Sequence, residues 1–167
     1  ISGGRVQMGI GGGWYEHEWR AYGYGFPSAG VRLARLDEGV QIMRDAWRDG
    51  KVSFEGKHYQ VDGAIVAPKP LQKSGIPLWI AGGGEKVTLK IAAKYAQYTN
   101  FTSEPDGFAH KSQILADHCR SVGTDYDAIV RSANFNAVIG TSENDVKERI
   151  ARLRARQVAK ADESAID

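Results

Sequence analysis

Apolar residues recur at intervals of three and four along one stretch in the first third of the chain. They are Leu33, Leu36, Val40, Met43 and Trp47. Residues with this spacing share one face of an α-helix, because a helical turn takes about 3.6 residues. Gly50 follows the stretch, and glycine commonly ends helices. The pattern predicts an amphipathic helix that ends near Gly50.

The same spacing predicts three further helices. Their markers are Val87, Ile91 and Tyr95 for one helix, a start at Ser103-Glu104-Pro105-Asp106 with an end around Gly123 for the next, and Val146, Ile150 and Leu153 for the last. Proline suits a first helical turn, where an N–H has no partner within the helix. Ser142 and Asp145 have the spacing of a capping box, with aspartate in place of the usual glutamate.

Short apolar runs between these helices predict strands. The predicted strands are 5–11, 78–81, 98–101 and 130–139, with a small hairpin of 52–54 and 59–61 around Gly56. The segment from Gly12 to Gly30 is predicted to be a long loop, rich in glycine and aromatic residues. A strand is followed by a helix four times. This alternation predicts a parallel sheet, either doubly wound or closed into a barrel.

The segment Pro77-Leu-Trp-Ile-Ala-Gly-Gly-Gly-Glu85 joins a predicted strand to a predicted helix through three consecutive glycines. Its apolar half suits a strand that is covered on both faces. Glycines let backbone N–H groups approach a ligand closely, and the start of the following helix attracts anions. We therefore predict that the turn binds a phosphate group. The alternative is that the glycines only relieve crowding.

Two known glycine motifs do not fit the chain. A dinucleotide-binding fingerprint needs a third glycine where the chain has Val87, and a P-loop needs Gly-Lys-Ser/Thr where it has Glu85-Lys86-Val87. The earlier run from Gly9 to Trp14 fails the first pattern too, because Trp14 takes the place of the last glycine. The glycines of both segments need another explanation.

The chain has 167 residues, of which 42% are hydrophobic and 25% charged, and a formal net charge of +2. These values are typical of a globular protein. The charges are interspersed, and the arginines at 149–156 suit a solvated helix face, so no nucleic-acid partner is predicted. The single cysteine, Cys119, excludes an internal disulfide and suits a reducing compartment. No apolar run approaches the ~20 residues of a membrane span, so we expect a cytoplasmic protein with no membrane partner.

The other polar residues suggest little chemistry. The histidines are His17, His58, His110 and His118. They include no HExxH pair. His110 and His118, eight residues apart on one helix, lack acidic or thiol companions at metal-ligand spacing apart from Asp117 and Cys119, which face elsewhere, so no metal is predicted. Glu18, in the aromatic loop, is interpreted as a structural carboxylate that accepts hydrogen bonds from loop amides, and the alternative is a substrate or proton-transfer residue. Arg35 and Glu38, three residues apart on the first helix, are interpreted as a local ion pair, and Cys119 is expected to pack.

A series of short motifs runs through nearly the whole chain. The motifs are Ser2-Gly-Gly-Arg5, Gly9-Ile-Gly-Gly-Gly-Trp-Tyr15 with Glu18 and Tyr22-Gly23, Arg32-Leu-Ala-Arg-Leu-Asp-Glu38 leading to Trp47, Phe54-Glu-Gly-Lys-His-Tyr59, Pro68-Lys-Pro70, the glycine segment from Pro77 with Thr88-Leu89, Ala92-Ala-Lys-Tyr-Ala96, His118-Cys119 and Gly123-Thr-Asp125. In this order they resemble the luciferase-like family of flavin- and deazaflavin-dependent oxidoreductases. The order is more diagnostic than any single motif.

The resemblance implies an α/β fold, the (β/α)8 TIM barrel of the luciferase-like type. Residues 1–167 are expected to form one partial barrel domain, roughly strands four to seven of the family, because a whole barrel takes ~250 residues or more. The front strands and the last strand are then missing, and a start at Ile1 rather than methionine agrees with a fragment. Family members place much of the ring pocket on the front strands, so no catalytic residue is assigned.

Carried over position by position, the resemblance implies a cofactor-binding site. Its residues are Ala81, Gly82, Gly83, Gly84 and Glu85, which would bind the cofactor's phosphate through backbone amides. The expected cofactor is the deazaflavin coenzyme F420, used for hydride transfer to or from a small organic substrate. The alternative is FMN in a luciferase-like monooxygenase that inserts oxygen. Family members often pair, so a homodimer is also expected.

Two other classes of function remain open from the sequence. One is an inactive, truncated half-barrel that folds only by pairing with another chain or does not fold stably, because the strands at its ends would have unpaired edges. A barrel that acts on phosphorylated metabolites, such as an aldolase or isomerase, would need a Schiff-base lysine or an acid/base pair at strand ends. Lys69 and Lys86 are the nearest lysines, and neither is predicted inside a strand.

Overall fold

The computed structural model describes residues 2–101, 104–135 and 137–163, with side chains described up to residue 156. The chain forms two compact units, Ile1–Asn134 and Phe135–Asp167. The strands are β1 (Met8–Gly11), β2 (Lys51–Glu55), β3 (Gln60–Ile65), β4 (Leu78–Ala81), β5 (Tyr98–Asn100) and β6 (Val130–Ser132). The helices are α1 (Glu16–Ala21), α2 (Ala29–Asp49), α3 (Thr88–Tyr95), α4 (Pro105–Val122) and α5 (Glu143–Glu163).

Four parallel strands form the main sheet of the first unit, in the order β1-β4-β5-β6. Strands β2 and β3 form a separate antiparallel hairpin. Apart from this hairpin, neighbours in the sheet follow each other along the chain. A doubly wound sheet reverses its strand order at one point, whereas a barrel adds its strands in sequence. The strand order therefore fits the predicted barrel, of which these strands form a part.

Local signals set the ends of α2 and α4, and both carboxyl ends lie where the sequence predicts them. The side chain of Ser28 accepts a hydrogen bond from the N–H of Val31 at the start of α2, at 3.4 Å. Helices α2 and α4 end at Gly50 and Gly123, both with φ of +75°, a left-handed conformation that glycine adopts without steric cost. Helix α4 begins at Pro105, whereas Ser103 lies outside the described residues.

The hydrophobic core lies between the sheet and the helices. Leu78 and Ile80 of β4 point into it and are 1% and 0% exposed. The other members with large side chains are Leu36, Val40, Leu89, Ile91, Phe101, Leu115, Cys119 and Ile129. The burial of Cys119 confirms that this thiol packs in the interior.

The prediction that β4 is covered on both faces is wrong. Alternate residues of a strand point to opposite faces, and only Leu78 and Ile80 are buried, whereas Trp79 is half-buried and Ala81 is exposed. Trp79 stacks on Tyr98 of the neighbouring strand, with ring centroids 4.5 Å apart and ring planes 11° apart. The second face of the sheet therefore carries two aromatic side chains, Trp79 of β4 and Tyr98 of β5, that are only partly covered.

Three other predicted segments differ from the structure. The first strand begins at Met8 rather than residue 5, and the last ends at Ser132 rather than residue 139. Strand β6 pairs only with the three residues of β5, which limits its length; residue 136 of that predicted strand lies outside the described residues. The predicted loop 12–30 contains helix α1 and the first residues of α2.

The ion pair predicted between Arg35 and Glu38 is not formed. The carboxylate of Glu38 instead accepts hydrogen bonds from the backbone N–H groups of residues 57–59, in the turn between β2 and β3, at 3.0, 2.9 and 2.9 Å. Backbone donors in a tight turn compete well for a carboxylate that one helix face presents to them. Among the described residues, the helices are all too short or too polar to cross a membrane.

Candidate functional site

The three-glycine turn connects the carboxyl end of β4 to α3. The strands run parallel, so the turn lies at the same edge of the sheet as the ends of β1 and β5. The N–H of Gly82 donates to the carbonyl oxygen of Asn100, the last residue of β5, at 2.9 Å. Gly82 has a φ of +121°, which side chains rarely allow. The turn is therefore attached to the end of the neighbouring strand.

Backbone N–H groups in this turn are available to a ligand. Gly84 and Glu85 are exposed and Gly83 is half-buried. The N–H groups of these three residues donate to none of the residues that the structure describes. Unpartnered N–H groups just before the first turn of a helix form the arrangement that binds anions in many proteins.

Crowding also explains why two of these positions are glycine. A Cβ at Gly84 would lie 2.8 Å from Oγ1 of Thr88, and a Cβ at Gly83 would lie 3.2 Å from Cε of Lys111. Both distances are shorter than a comfortable van der Waals contact. Close packing and open N–H groups therefore occur together in one turn, so relief of crowding at these glycines does not exclude phosphate binding there.

Three side chains of α4 approach the turn from one side. The ammonium group of Lys111 donates to the carbonyl oxygen of Gly83 at 2.7 Å and lies 3.4 Å from Oε1 of Glu85. Nε2 of His118 lies 2.7 Å from the carbonyl oxygen of Glu85. Nε2 of His110 lies 3.5 Å from the Glu85 carboxylate. The turn is thus bordered by basic groups.

Next to the turn, a cleft of about 550 Å³ opens at the ends of β1 and β4. Its walls are formed by the glycine-rich end of β1, the aromatic loop and the start of the glycine turn. The lining residues are Gly9, Ile10, Gly11, Gly12, Gly13, Trp14, Tyr15, Glu18, Trp19, Leu33, Ala81, Gly82 and Thr88. Of the five predicted site residues, Ala81 and Gly82 line this cleft, while Gly83, Gly84 and Glu85 continue the turn beyond it.

Glu18 is placed differently from its sequence-based interpretation. It lies on α1, it is exposed, and it lines the cleft. No N–H of the described residues donates to its carboxylate, so the predicted role of binding loop amides is not observed. The structure brings this carboxylate to the same cleft as Ala81 and Gly82.

Arg32 holds the aromatic loop against α2. Its Nε donates to the carbonyl oxygen of Gly12 at 3.2 Å, and a second guanidinium nitrogen donates to the carbonyl oxygen of Pro27. The guanidinium carbon lies 3.9 Å from the ring centroid of Phe26, in the geometry of a cation–π contact. One arginine therefore contacts both ends of the loop that forms one wall of the cleft.

Sequence reasoning missed the basic residues of α4. It considered His110 and His118 only as metal ligands, and the described residues contain no group of three or more potential ligands positioned for a metal. A usable signal was present, because Lys111 and His118 are seven residues apart and so share a helix face. The carbonyl groups that these side chains contact could not be predicted, because the contacts depend on how α4 packs beside α3.

The sequential parallel strands with covering helices, and a ligand-sized cleft at the carboxyl edge of the sheet, define an α/β barrel-type enzyme scaffold. Residues 1–166 match the family described as luciferase-like monooxygenase. The chain belongs to this family.

Several characterised proteins are similar to the chain. The pyrimidine monooxygenase RutA of Stutzerimonas stutzeri (strain A1501) is 32% identical over 130 residues, which are 74% of this chain and 35% of that protein. The F420-dependent glucose-6-phosphate dehydrogenase of Mycobacterium leprae (strain Br4923) is 42% identical over 94 residues, which are 55% of this chain and 26% of that protein.

Solved structures agree on the fold. An F420-dependent secondary alcohol dehydrogenase in complex with an F420-acetone adduct superposes with a TM-score of 0.69 at 27% identity, over 78% of this chain and 39% of that one. The coenzyme F420-dependent tetrahydromethanopterin reductase of Methanopyrus kandleri gives a TM-score of 0.73 at 22% identity, over 86% of this chain and 44% of that one. The chain thus spans less than half the length of these relatives.

Proposed function

We propose that the protein is an oxidoreductase that binds the phosphate of coenzyme F420 at the three-glycine turn and uses this coenzyme for hydride transfer to or from a small organic substrate. The observation that carries the proposal is the set of unpartnered N–H groups of Gly83, Gly84 and Glu85, just before α3. The similarity to two enzymes named as F420-dependent dehydrogenases supports the choice of coenzyme.

The residues present suit a phosphate-bearing cofactor. Backbone N–H groups and the positive end of α3 favour an anion, and Lys111 adds a positive charge beside the turn. The adjoining cleft of about 550 Å³ falls within the range of small-molecule sites. Once bound, the coenzyme supplies the hydride-transfer chemistry.

The protein's own contribution is binding and orientation. Trp14 and Tyr15 offer aromatic surfaces at the cleft, and the hold of Arg32 on Gly12 keeps that wall in place. Glu18 is a carboxylate at the cleft that can accept a hydrogen bond from a substrate hydroxyl or amide. The chemical step itself is not assigned to a residue of this chain.

A second candidate is an FMN-dependent monooxygenase of the same family. It is favoured by the length of the sequence match. The match to the pyrimidine monooxygenase spans 74% of this chain, whereas the match to the F420-dependent dehydrogenase spans 55%. Both cofactors carry a phosphate on the side chain of a flavin-like ring system, so the unpartnered N–H groups of the glycine turn suit either. The cytoplasmic location and the homodimer remain predictions.

Fluorescence titration of the protein as its gene encodes it, with F420 and separately with FMN, tests the proposal. Tight binding of F420 alone is the expected result and justifies a screen of small alcohols and sugar phosphates for F420 reduction. Preference for FMN supports the monooxygenase. Binding of neither contradicts both candidates and supports the inactive half-barrel.

A matched pair of variants tests the site itself. Gly83→Asp places a negative charge and a side chain in the turn, where a Cβ would lie 3.2 Å from Cε of Lys111. It should weaken cofactor binding more than about tenfold, or about 1.4 kcal/mol. Gly30→Asp is the control, because Gly30 is exposed and its Cβ would meet nothing within 4 Å. Circular dichroism should show unchanged helix in both variants. Undiminished cofactor affinity of Gly83→Asp would contradict the phosphate site.

A further inference from the structure

Two side chains of helix α4, those of Lys111 and His118, contact backbone carbonyl groups of the glycine turn rather than its N–H groups. We propose that Lys111 and His118 are positioning residues, which orient two peptide groups of the turn so that their N–H groups face a bound phosphate. The inference rests on the proposed function, because it concerns the same phosphate site. It assigns a role to two side chains of a helix that contributes no residue to the cleft beside the turn.

The argument starts from peptide geometry. In a trans peptide the C=O and the next residue's N–H point in opposite directions. Lys111 holds the carbonyl oxygen of Gly83 at 2.7 Å, so the N–H of Gly84 points away from α4. His118 holds the carbonyl oxygen of Glu85 at 2.7 Å, so the N–H of Lys86 also points away from α4.

The peptide between these two is held from a different side. The carbonyl oxygen of Gly84 accepts a hydrogen bond from the N–H of Leu89 at 3.0 Å, inside the first turn of α3. Three consecutive carbonyl groups of the turn, at residues 83–85, therefore each have a protein partner. The three N–H groups that follow them, at residues 84–86, donate to none of the described residues. A preorganised anion site requires this arrangement, in which the carbonyl groups have protein partners and the N–H groups remain available to a ligand.

The contact of His118 does not depend on its charge. A carbonyl oxygen only accepts, so Nε2 carries the hydrogen, as it does in one neutral tautomer and in the imidazolium. A side-chain amide at the same position can replace this donor, whereas an aliphatic side chain cannot.

Lys111 also compensates the negative charge of Glu85, which favours binding of an anion at the turn. It lies 3.4 Å from the Glu85 carboxylate, with His110 3.5 Å from the same oxygen. The Lys111 side chain is 21% exposed, so the pair is less screened than a pair on the open surface. Without Lys111, the carboxylate of Glu85 would be left beside the phosphate site with less compensating charge.

The experiment compares cofactors with and without the phosphate. Lys111→Met and His118→Leu should each weaken binding of F420 about tenfold, while the phosphate-free form of the same deazaflavin binds as in the wild type. His118→Gln should restore most of the loss, because its amide can donate to the Glu85 carbonyl. Lys90→Met is the control: it removes the same charge from an exposed residue of α3 and should change neither affinity.

The outcomes separate this inference from the proposed function. Variants that bind F420 like the wild type, or that lose both ligands equally, overturn the positioning role while the cofactor site stands. If the wild type binds neither F420 nor FMN, the proposed function fails, and inorganic phosphate then serves as the probe. Phosphate-dependent NMR shifts of the Gly84 and Lys86 amides that Lys111→Met abolishes support the inference; unresponsive amides in the wild type overturn it.

Discussion

The carboxylate of Glu38 lies where a side chain at position 56 would begin. A Cβ built on Gly56 would overlap Oε2 of Glu38. Glu38 reaches this place because it accepts hydrogen bonds from the three backbone N–H groups of residues 57–59. One side chain of α2 thus caps the turn between β2 and β3, and the turn needs glycine to admit it.

This cap should make part of the stability depend on pH. Burial of the carboxylate opposes its ionisation, but the N–H groups of His58, Tyr59 and Lys57 outweigh that effect and lower the pKa of Glu38 from its ordinary value of 4.5. A lowered pKa stabilises the folded protein above the unfolded-state pKa, and this stabilisation is lost as the pH falls through the folded-state pKa. Glu38→Gln should therefore be less stable than the wild type at neutral pH, and the difference should shrink on acidification below 4.5.

Urea unfolding at a series of pH values measures this difference. Glu55→Gln is the control, because the Glu55 side chain is exposed on β2. A stability gap for Glu38→Gln that stays constant or widens in acid would contradict the cap.

Leu115 is a core residue of α4 whose truncation should destabilise the protein. It is 0% exposed, on the face of α4 that packs into the core. Leu115→Ala removes buried methyl groups and leaves a cavity, which costs about 2–5 kcal/mol. Leu71→Ala is the matched control at a leucine that is 77% exposed, with an expected change within about 0.5 kcal/mol. Equal denaturation midpoints for the two variants would contradict the packing of α4.

The ends of α2 and α4 could be predicted from sequence because their signals are local. Gly50 and Gly123 follow the last apolar residue of each helical stretch, and Pro105 begins α4. The strand ends were less predictable, because a strand extends only as far as its neighbour: β6 stops at Ser132, opposite the last residue of β5. Such a limit is a property of the sheet rather than of the segment.

The candidate site divides in the same way. The glycine turn could be predicted, because three consecutive glycines stand between a predicted strand and a predicted helix. The partners of that turn could not, because Lys111 and His118 lie 28 and 33 residues from the carbonyl groups that they contact. Likewise, Glu38 had a plausible partner one turn away in Arg35, but the backbone of the β2–β3 turn binds it instead.

Arg32 should hold the aromatic loop, which forms one wall of the cleft, against α2. It donates to the carbonyl oxygens of Gly12 and Pro27 and stacks on Phe26. Lysine keeps the charge but cannot make these contacts together, because it lacks the planar, forked guanidinium. Arg32→Lys should therefore raise the rate of chymotrypsin cleavage within residues 12–27 about fivefold, as a loss of ~1 kcal/mol in loop closure gives.

Mass spectrometry of the early fragments measures the cleavage rate and its position. Arg35→Lys is the control, since it lies one turn further along α2 and its guanidinium makes no hydrogen bond or ion pair with the described residues. Equal cleavage of the two variants would show that the contacts of Arg32 do not hold the loop.

Two glycines of the first unit should respond to the same substitution with opposite signs. Gly39 lies in the middle of α2 with helical geometry, and a Cβ there would meet only Cε2 of Tyr59, at 3.9 Å. Gly123 ends α4 with a φ of +75°, and a Cβ there would meet nothing within 4 Å. Space is available at both positions, so only the backbone conformation distinguishes them.

Gly39→Ala should stabilise the protein by about 0.5–1 kcal/mol, because alanine has less backbone freedom to lose in a helix interior. Gly123→Ala should destabilise it by about 1 kcal/mol, because a left-handed conformation brings Cβ close to the following carbonyl oxygen. Thermal unfolding of both variants beside the wild type gives the two signs in one experiment. If Gly123→Ala is as stable as Gly39→Ala, α4 does not end in a left-handed glycine.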